Sequence, residues 1–251
     1  KSYLGYDYIG EYLAENGYIV VSVDERFCNN YIDGGLTGEN DARAVLLLEN
    51  VRQVLEWNEE EDNPLYHRID EENIGLVGHS RGGEAVALAA LFNKLEVYPD
   101  GGTIPLNYNF NINTVCAIAP TADQYMPADQ SVELADVNYF LVQGGMDEDV
   151  VSFYGLQTYE DVSFSEDSEC VKAYMYINNA NHGQFNELWG RYDTSKPMSY
   201  FLNIKPIMEE EKQQAILKHY LKTCFDVTLK KDVTDIGYIK DSSNYEENEG
   251  V

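Results

Sequence analysis

The run Ile74-Gly-Leu-Val-Gly78-His79-Ser80-Arg81-Gly82-Gly83-Glu84-Ala-Val-Ala87 passes from an unbroken apolar segment, through a serine between two glycines, into a helical pattern of small residues. It contains G-x-S-x-G at 78–82. A serine on a tight strand-to-helix turn is held in a strained backbone conformation with its hydroxyl exposed. Gly78 and Gly82 are expected to leave room where the helix passes close to the strand. Ser80 then stands at a helix N-terminus, where the helix dipole favours developing negative charge. The backbone N–H of Arg81 is placed to form half of an oxyanion hole. The motif alone also describes a tight turn with a capping serine. The strand before it and the helix after it make Ser80 a candidate nucleophile.

Working outward, apolar runs alternate with helical patterns. Residues 4–16 read as a helix, with Gly17 in a C-cap position. Residues 18–23, Tyr-Ile-Val-Val-Ser-Val, are apolar on both faces, as a buried parallel strand should be. A loop rich in Asn and Gly follows over 28–38, and residues 40–57 carry apolar positions at three-to-four spacing. After the strand at 73–77 and the helix at 81–93, further strands are expected at 114–119, 138–143 and 171–177. A last helix is expected over 206–225, with Pro206 in its first turn. Strands separated by helices predict a mostly parallel α/β sheet with helices on both faces. Ligands bind at the carboxyl ends of such strands. The domain is expected to span residues 1–228. Residues 229–251 read as an acidic tail, or the start of a following segment, frayed toward the end.

A serine hydroxyl is a weak nucleophile and needs a base. Of the four histidines, His67 precedes Ser80 and His79 lies inside the turn. His219 falls within the last helix and reads as structural. His182, in Asn-Asn-Ala-Asn-His182-Gly-Gln-Phe after the fifth apolar run, is the candidate base. The acid belongs on the loop after the preceding strand, Gln143-Gly-Gly-Met-Asp147-Glu148-Asp149-Val150. Asp147 comes soonest after the glycines and is preferred. Asp149 is the alternative, and Asp123 a weaker one. An orienting carboxylate fixes the imidazole tautomer and stabilises its protonated form.

Composition excludes other classes. The formal net charge is −27, from 44 acidic against 17 basic residues. Nucleic-acid binding needs clustered Lys and Arg, so it is not expected, and an anionic membrane surface is disfavoured for the same reason. No run of 18 apolar residues marks a transmembrane helix. Cys28, Cys116, Cys170 and Cys224 lie far apart without a C-x-x-C pair, so no zinc site is expected. Cys116 reads as a buried thiol.

The segments GYDYIGEYLAENGYIVVSVDERF, GENDARAVLLLENVRQVLEWN, NIGLVGHSRGGEAVALAA, LVQGGMDEDV and NANHGQFN, in this order, resemble the α/β-hydrolases. The branch they are most similar to is that of bacterial chlorophyllase-like and dienelactone-hydrolase-like proteins. Platelet-activating-factor acetylhydrolases and cutinase-like polyester hydrolases are also similar. The resemblance spans about residues 3–225. It implies acyl transfer to water through a covalent acyl-enzyme, without metal or organic cofactor, on a small-molecule or polymer ester. It also implies a secreted or cell-surface home. The family places a strand ending in His-Gly before the first helix, and the loop after that strand supplies a second oxyanion N–H. That strand has no counterpart here, so the N-terminal strands are expected to be lacking. The chain then reads as an excerpt of a longer one, with further domains possible. In a complete chain the oxyanion hole would be partial, with Tyr3 or Tyr6 near the gap.

These readings predict a serine esterase using Ser80, His182 and Asp147. The alternative is a non-catalytic binding or interaction domain on a hydrolase scaffold; a peptidase of the same fold is weaker, since nothing resembles its propeller domain. Tyr125, Phe185 and Trp189 are candidates to line an apolar acyl or aryl site. Arg81 is expected to pair with Asp123 or Glu84. Glu84 itself is expected to be buried, bonded to backbone N–H groups or to Arg26 or Arg43, and to brace the turn.

Overall fold

The computed structural model describes residues 2–25, 27–28 and 39–241, without the side chains of Ser2 and Tyr3. The Asn- and Gly-rich loop over 29–38, Arg26 and the tail 242–251 lie outside the described residues.

Four parallel strands form the sheet: β1 (Ile74–His79), β2 (Ile112–Ile118), β3 (Asn138–Gly144) and β4 (Lys172–Ile177), side by side in that order. Both central strands are buried on both faces, and their alternation sorts two cores. Val115 and Ala117 of β2 and Tyr139 and Leu141 of β3 pack with Leu48, Val86 and Leu88. Cys116, Ile118, Phe140 and Val142 point the other way, against Ile9, Leu13, Leu217 and Leu221. Hence the first face is covered by α2 (Asn40–Glu59) and α3 (Arg81–Phe92), and the second by α1 (Asp7–Glu15) and α5 (Glu210–Leu229). Two short helices are α4 (Gly155–Asp161) and α6 (Gly237–Lys240). Tyr238 and Ile239 of α6 pack on the second core. The expected parallel α/β sheet with helices on both faces is present.

Three expectations need correction. A 3-10 turn, Ser2–Tyr6, precedes α1, which ends as expected, with Gly17 at φ 85° in the left-handed region. The last helix starts at Glu210, beyond Pro206, with Glu210 and Glu211 in its first turn favoured by the helix dipole. Residues 18–23 form no strand. A strand exists only as part of a ladder, and Ile19, Val20, Val21 and Val23 make no backbone hydrogen bond among the described residues. Among the described residues β1 pairs with β2 alone, and no strand lies on its other edge. Residues 18–25 and β1 line two neighbouring cavities of about 350 and 630 Å³. Ile19, Val20, Val21 and Val77 are left exposed beside them. The apolar sequence of residues 18–23 predicts burial and pairing, and among the described residues it has neither: none of the six is buried.

Among the described residues, no helix is long and apolar enough to cross a membrane.

Candidate functional site

Ser80 stands at the end of β1, one residue before α3, at φ 60° and ψ −125°. For a side-chain-bearing residue this conformation costs about 1–3 kcal/mol and persists only where neighbours over-determine it. The neighbours are visible. Ser80 N–H donates to Ile118 O at the end of β2 at 2.9 Å, and Ser80 O accepts from Gly83 N at 2.8 Å and from Thr121 N at 3.3 Å. The turn is therefore tied to the neighbouring strand's end and to the loop beyond it.

The room for this turn comes from Gly78 and Gly83. A Cβ on Gly78 would lie 2.0 Å from Gly82 O, and one on Gly83 would lie 2.8 Å from Pro120 Cβ. Gly82, expected to relieve a clash, has open space around its Cβ position. Consecutive glycines at 82 and 83 are indistinguishable by type. Only the packing of the first helical turn against Pro120 separates them.

Glu84 is 3% exposed. Its carboxylate accepts from Thr121 Oγ1 at 2.6 Å, Gln124 N at 2.9 Å and Tyr125 N at 3.1 Å. The expected bond to backbone N–H groups is present. Burial pushes its carboxyl above the usual range, while these donors pull it back. Arg43 pairs instead with Glu25 and Glu39, and Arg81 with Glu39 rather than Asp123 or Glu84. Glu39 lies just before α2, from which its carboxylate reaches both guanidinium groups; the i,i+4 pair with Arg43 is legible in spacing, the contact with Arg81 is not.

Asp147 lies on the loop after β3 and His182 on the loop after β4. His182 Nδ1 is 2.9 Å from Asp147 Oδ2. Asp147 is itself fixed, because its other oxygen accepts from Asp149 N at 3.0 Å and Val150 N at 2.7 Å. Gln143 Nε2 donates to Oδ2 at 3.1 Å. Asp149 approaches the opposite side of the ring, its Oδ2 3.3 Å from His182 Nε2, but it is 56% exposed. The two carboxylates thus take different nitrogens of one imidazole. Asp123 is not among the partners of His182.

Among the described residues, Ser80 and His182 are not joined by a hydrogen bond, and buried Nε2, with Asp149 Oδ2 3.3 Å away, makes none of good geometry. Ser80, Asp149 and Trp189 line the 630 Å³ cavity together with His79, Arg81, Tyr6, Val77 and Ile118. Burial alone pulls His182 down, but the Asp147 bond and the charges of Asp147, Asp149 and Asp193 outweigh it and raise its pKa. His79, buried at the cavity wall, is held well below the usual histidine range by burial and by His182. Its Nδ1 lies 2.7 Å from Tyr6 Oη, so a tyrosine does reach the turn at Ser80. Burial raises the Tyr6 hydroxyl to about 12, against a bond from Asn186, and keeps it protonated.

Of the three aromatic candidates, only Trp189 faces the cavity, its ring near-parallel to that of His182 at 14° and 6.1 Å. Phe185 is fully buried beneath His79. Tyr125 lies on the other core, stacked on Tyr98 and bonded to Asp100. His219 packs against Tyr238 inside the fold, a structural position as expected. The four cysteines are free thiols. Among the described residues, no group of three or more His, Cys, Asp or Glu is placed to hold a metal ion.

Sequence reading missed Asp193. Its carboxylate accepts from Asn181 Nδ2 (2.7 Å), His182 N (3.0 Å), Gly183 N (2.8 Å) and Glu148 N (3.0 Å). Nothing in Gly190-Arg-Tyr-Asp193-Thr marks it, since the segment reads as an ordinary polar loop.

Compared with known proteins, the chain matches no family model and no curated protein.

Proposed function

We propose that the protein is a serine hydrolase of the α/β-hydrolase type that cleaves carboxylic esters. One observation carries this reading: a strained Ser80 and a carboxylate-bonded His182 stand on one strand edge, with Asp147 on Nδ1. Asp147 accepts the Nδ1 proton, which leaves Nε2 as the basic nitrogen. Ser80 Oγ attacks the ester carbonyl carbon while His182 Nε2 takes the hydroxyl proton. The carbonyl oxygen becomes an oxyanion beside the N–H of Arg81 at the start of α3. The intermediate collapses, the carbon–oxygen bond to the alcohol breaks, and His182 returns its proton to the leaving alkoxide. Water then attacks the acyl-serine by the same steps in reverse order. The free acid leaves and Ser80 is restored.

For the proton to reach His182, Ser80 must replace Asp149 at Nε2. Asp149 is free to move because it is more than half exposed. Hydrogen bonds at such sites often tighten only once substrate is bound. The cavity beside Ser80 supports an apolar acyl or aryl group, bounded by Val20, Val21, Val77 and Trp189. A secreted or cell-surface location and a bacterial chlorophyllase-like or dienelactone-hydrolase-like kinship accompany this proposal, on the strength of the sequence resemblance.

The test is labelling with a fluorophosphonate and turnover of a short-chain nitrophenyl ester. Labelling at Ser80, with loss of turnover in Ser80→Ala, is the expected outcome. Ser80→Ala turning over at the wild-type rate sinks the proposal. A second reading, a binding domain that kept the scaffold, draws on the missing Ser80–His182 hydrogen bond and on the edge of β1 that has no partner strand among the described residues. It predicts a folded protein that the fluorophosphonate does not label.

A further inference from the structure

We infer that Asp193 is the positioning residue of this site: one carboxylate that clamps the histidine loop to the acid loop and so sets the His182–Asp147 couple. The inference rests on the hydrolase reading for its consequence, though not for its geometry.

Each carboxylate oxygen of Asp193 accepts two hydrogen bonds. Oδ1 takes Gly183 N at 2.8 Å and Asn181 Nδ2 at 2.7 Å. Oδ2 takes His182 N at 3.0 Å and Glu148 N at 3.0 Å. The donors come from two loops that follow different strands. Residues 181–183 follow β4, and Glu148 follows β3, next to Asp147. One side chain from a third segment therefore ties the backbone of the base to the backbone beside the acid. The oxygen shared between His182 N and Glu148 N spans the gap directly.

Local packing is built for this contact. A Cβ on Gly183 would lie 2.3 Å from Gly190 O and 3.1 Å from Asp193 Oδ1, so the loops close together only because residue 183 is glycine. The same turn is held from behind by Gln213, whose Nε2 donates to Asn181 O at 2.8 Å and whose Oε1 accepts from Asn181 N at 3.2 Å. Burial raises the Asp193 carboxyl above its usual range, and the charge of Asp147 adds to this; the N–H donors of Glu148, Gly183 and His182 oppose it. Four donors around one carboxylate are the arrangement that keeps such a group ionised. Asp193 does not line the cavity beside Ser80, so its effect belongs to the chemical step rather than to substrate binding.

Asp193→Asn is the informative substitution. It keeps the size but replaces one acceptor oxygen by an NH2 donor, which faces two N–H groups whichever way the amide turns. The groups facing His182 are Asp147, Asp149, Asp193 and His79. Two measurements are made on the folded variant. A misplacement of about 1 Å costs on the order of 10²-fold in kcat, with KM unchanged. The His182 ring, titrated by NMR with no substrate present, is expected to lose protons at lower pH than in the wild type. Loss of the Asp193 charge alone also lowers that titration, so the clamp is read from kcat at a pH where His182 is neutral in both proteins, which a purely structural role leaves unchanged. Folded Asp193→Asn with unchanged kcat at that pH overturns the inference.

Should Asp193→Asn not fold, hydrogen exchange on the unaltered protein decides. The amides of Glu148, His182 and Gly183 are expected to be protected and to open together, because they share one acceptor group. Glu148 N–H exchanging at the free-peptide rate overturns the clamp. A wild-type protein that shows this protection yet never takes the fluorophosphonate keeps the clamp and removes the hydrolase reading, so the two fail separately.

Discussion

His182 Nδ1 and Asp147 Oδ2 face each other at 2.9 Å, with side-chain exposures of 2% and 1%. At that burial the bond fixes which nitrogen carries the proton, because a buried carboxylate stays charged only against a donor. Asp147→Asn keeps the shape and leaves an amide that no longer stabilises the imidazolium. We expect kcat on a nitrophenyl ester to fall about 10⁴-fold with the fold intact. A loss under tenfold assigns the acid elsewhere, with Asp149 next in line.

Three carboxylates raise the pKa of His182 against the pull of burial. On the proposed mechanism His182 works as a base only when neutral, and a raised pKa keeps it protonated to higher pH. The acid limb of kcat/KM is therefore expected above the ordinary histidine value of about 6.5. Asp149→Asn removes one of the three charges and frees Nε2. Its limb should move toward acid, so the variant gains relative activity on the acid side. A pH–rate profile for the two proteins checks both statements, and an alkaline displacement in the variant contradicts them.

Gly78 and Gly82 are expected to respond oppositely to alanine. A Cβ at 78 meets Gly82 O at 2.0 Å, which neither backbone can yield without breaking the turn. Gly78→Ala should abolish fluorophosphonate labelling and lower the Tm. Gly82 has open space and sits in the first turn of α3. Gly82→Ala should fold normally and gain up to about 1 kcal/mol of helix propensity. Thermal melts and labelling of both variants test the pair. Equal losses count against the placement of Gly78 under the turn.

Glu84 holds the loop over 121–125 against the start of α3, through Thr121 and the N–H groups of Gln124 and Tyr125. Glu84→Ala strands two backbone donors and a hydroxyl, with an expected cost of about 1–3 kcal/mol. Activity should fall with it, since Thr121 N also donates to Ser80 O. Glu84→Gln is milder, because its amide oxygen can accept both N–H groups while its NH2 donates to the turned hydroxyl of Thr121. Denaturant midpoints rank the three proteins. Wild-type stability in Glu84→Ala rules the brace out.

The sheet was legible because burial writes itself into sequence. The central strands 112–118 and 138–144 are covered on both faces and read as unbroken apolar runs; 74–79 and 172–177, only partly buried, still carry apolar segments, and all four fall within two residues of their expected positions. The positions of Ser80, Asp147 and His182 were legible for a related reason. Each follows the end of a parallel strand, and the topology brings those ends to one edge.

The same signal misread residues 18–23, since an apolar run states a preference for burial, and among the described residues neither cover nor a pairing strand meets it. Pro206 misplaced the start of α5, because a proline at a first turn and one in the loop before it share the same local sequence. Three further features were decided only by tertiary structure. These are which of two adjacent glycines is crowded, which carboxylate takes each nitrogen of His182, and Asp193 closing two loops from a third. Sequence records what each residue prefers within a few positions of itself. Those three depend on contacts between atoms from separate segments, at distances of two to three ångströms that only the packed chain sets.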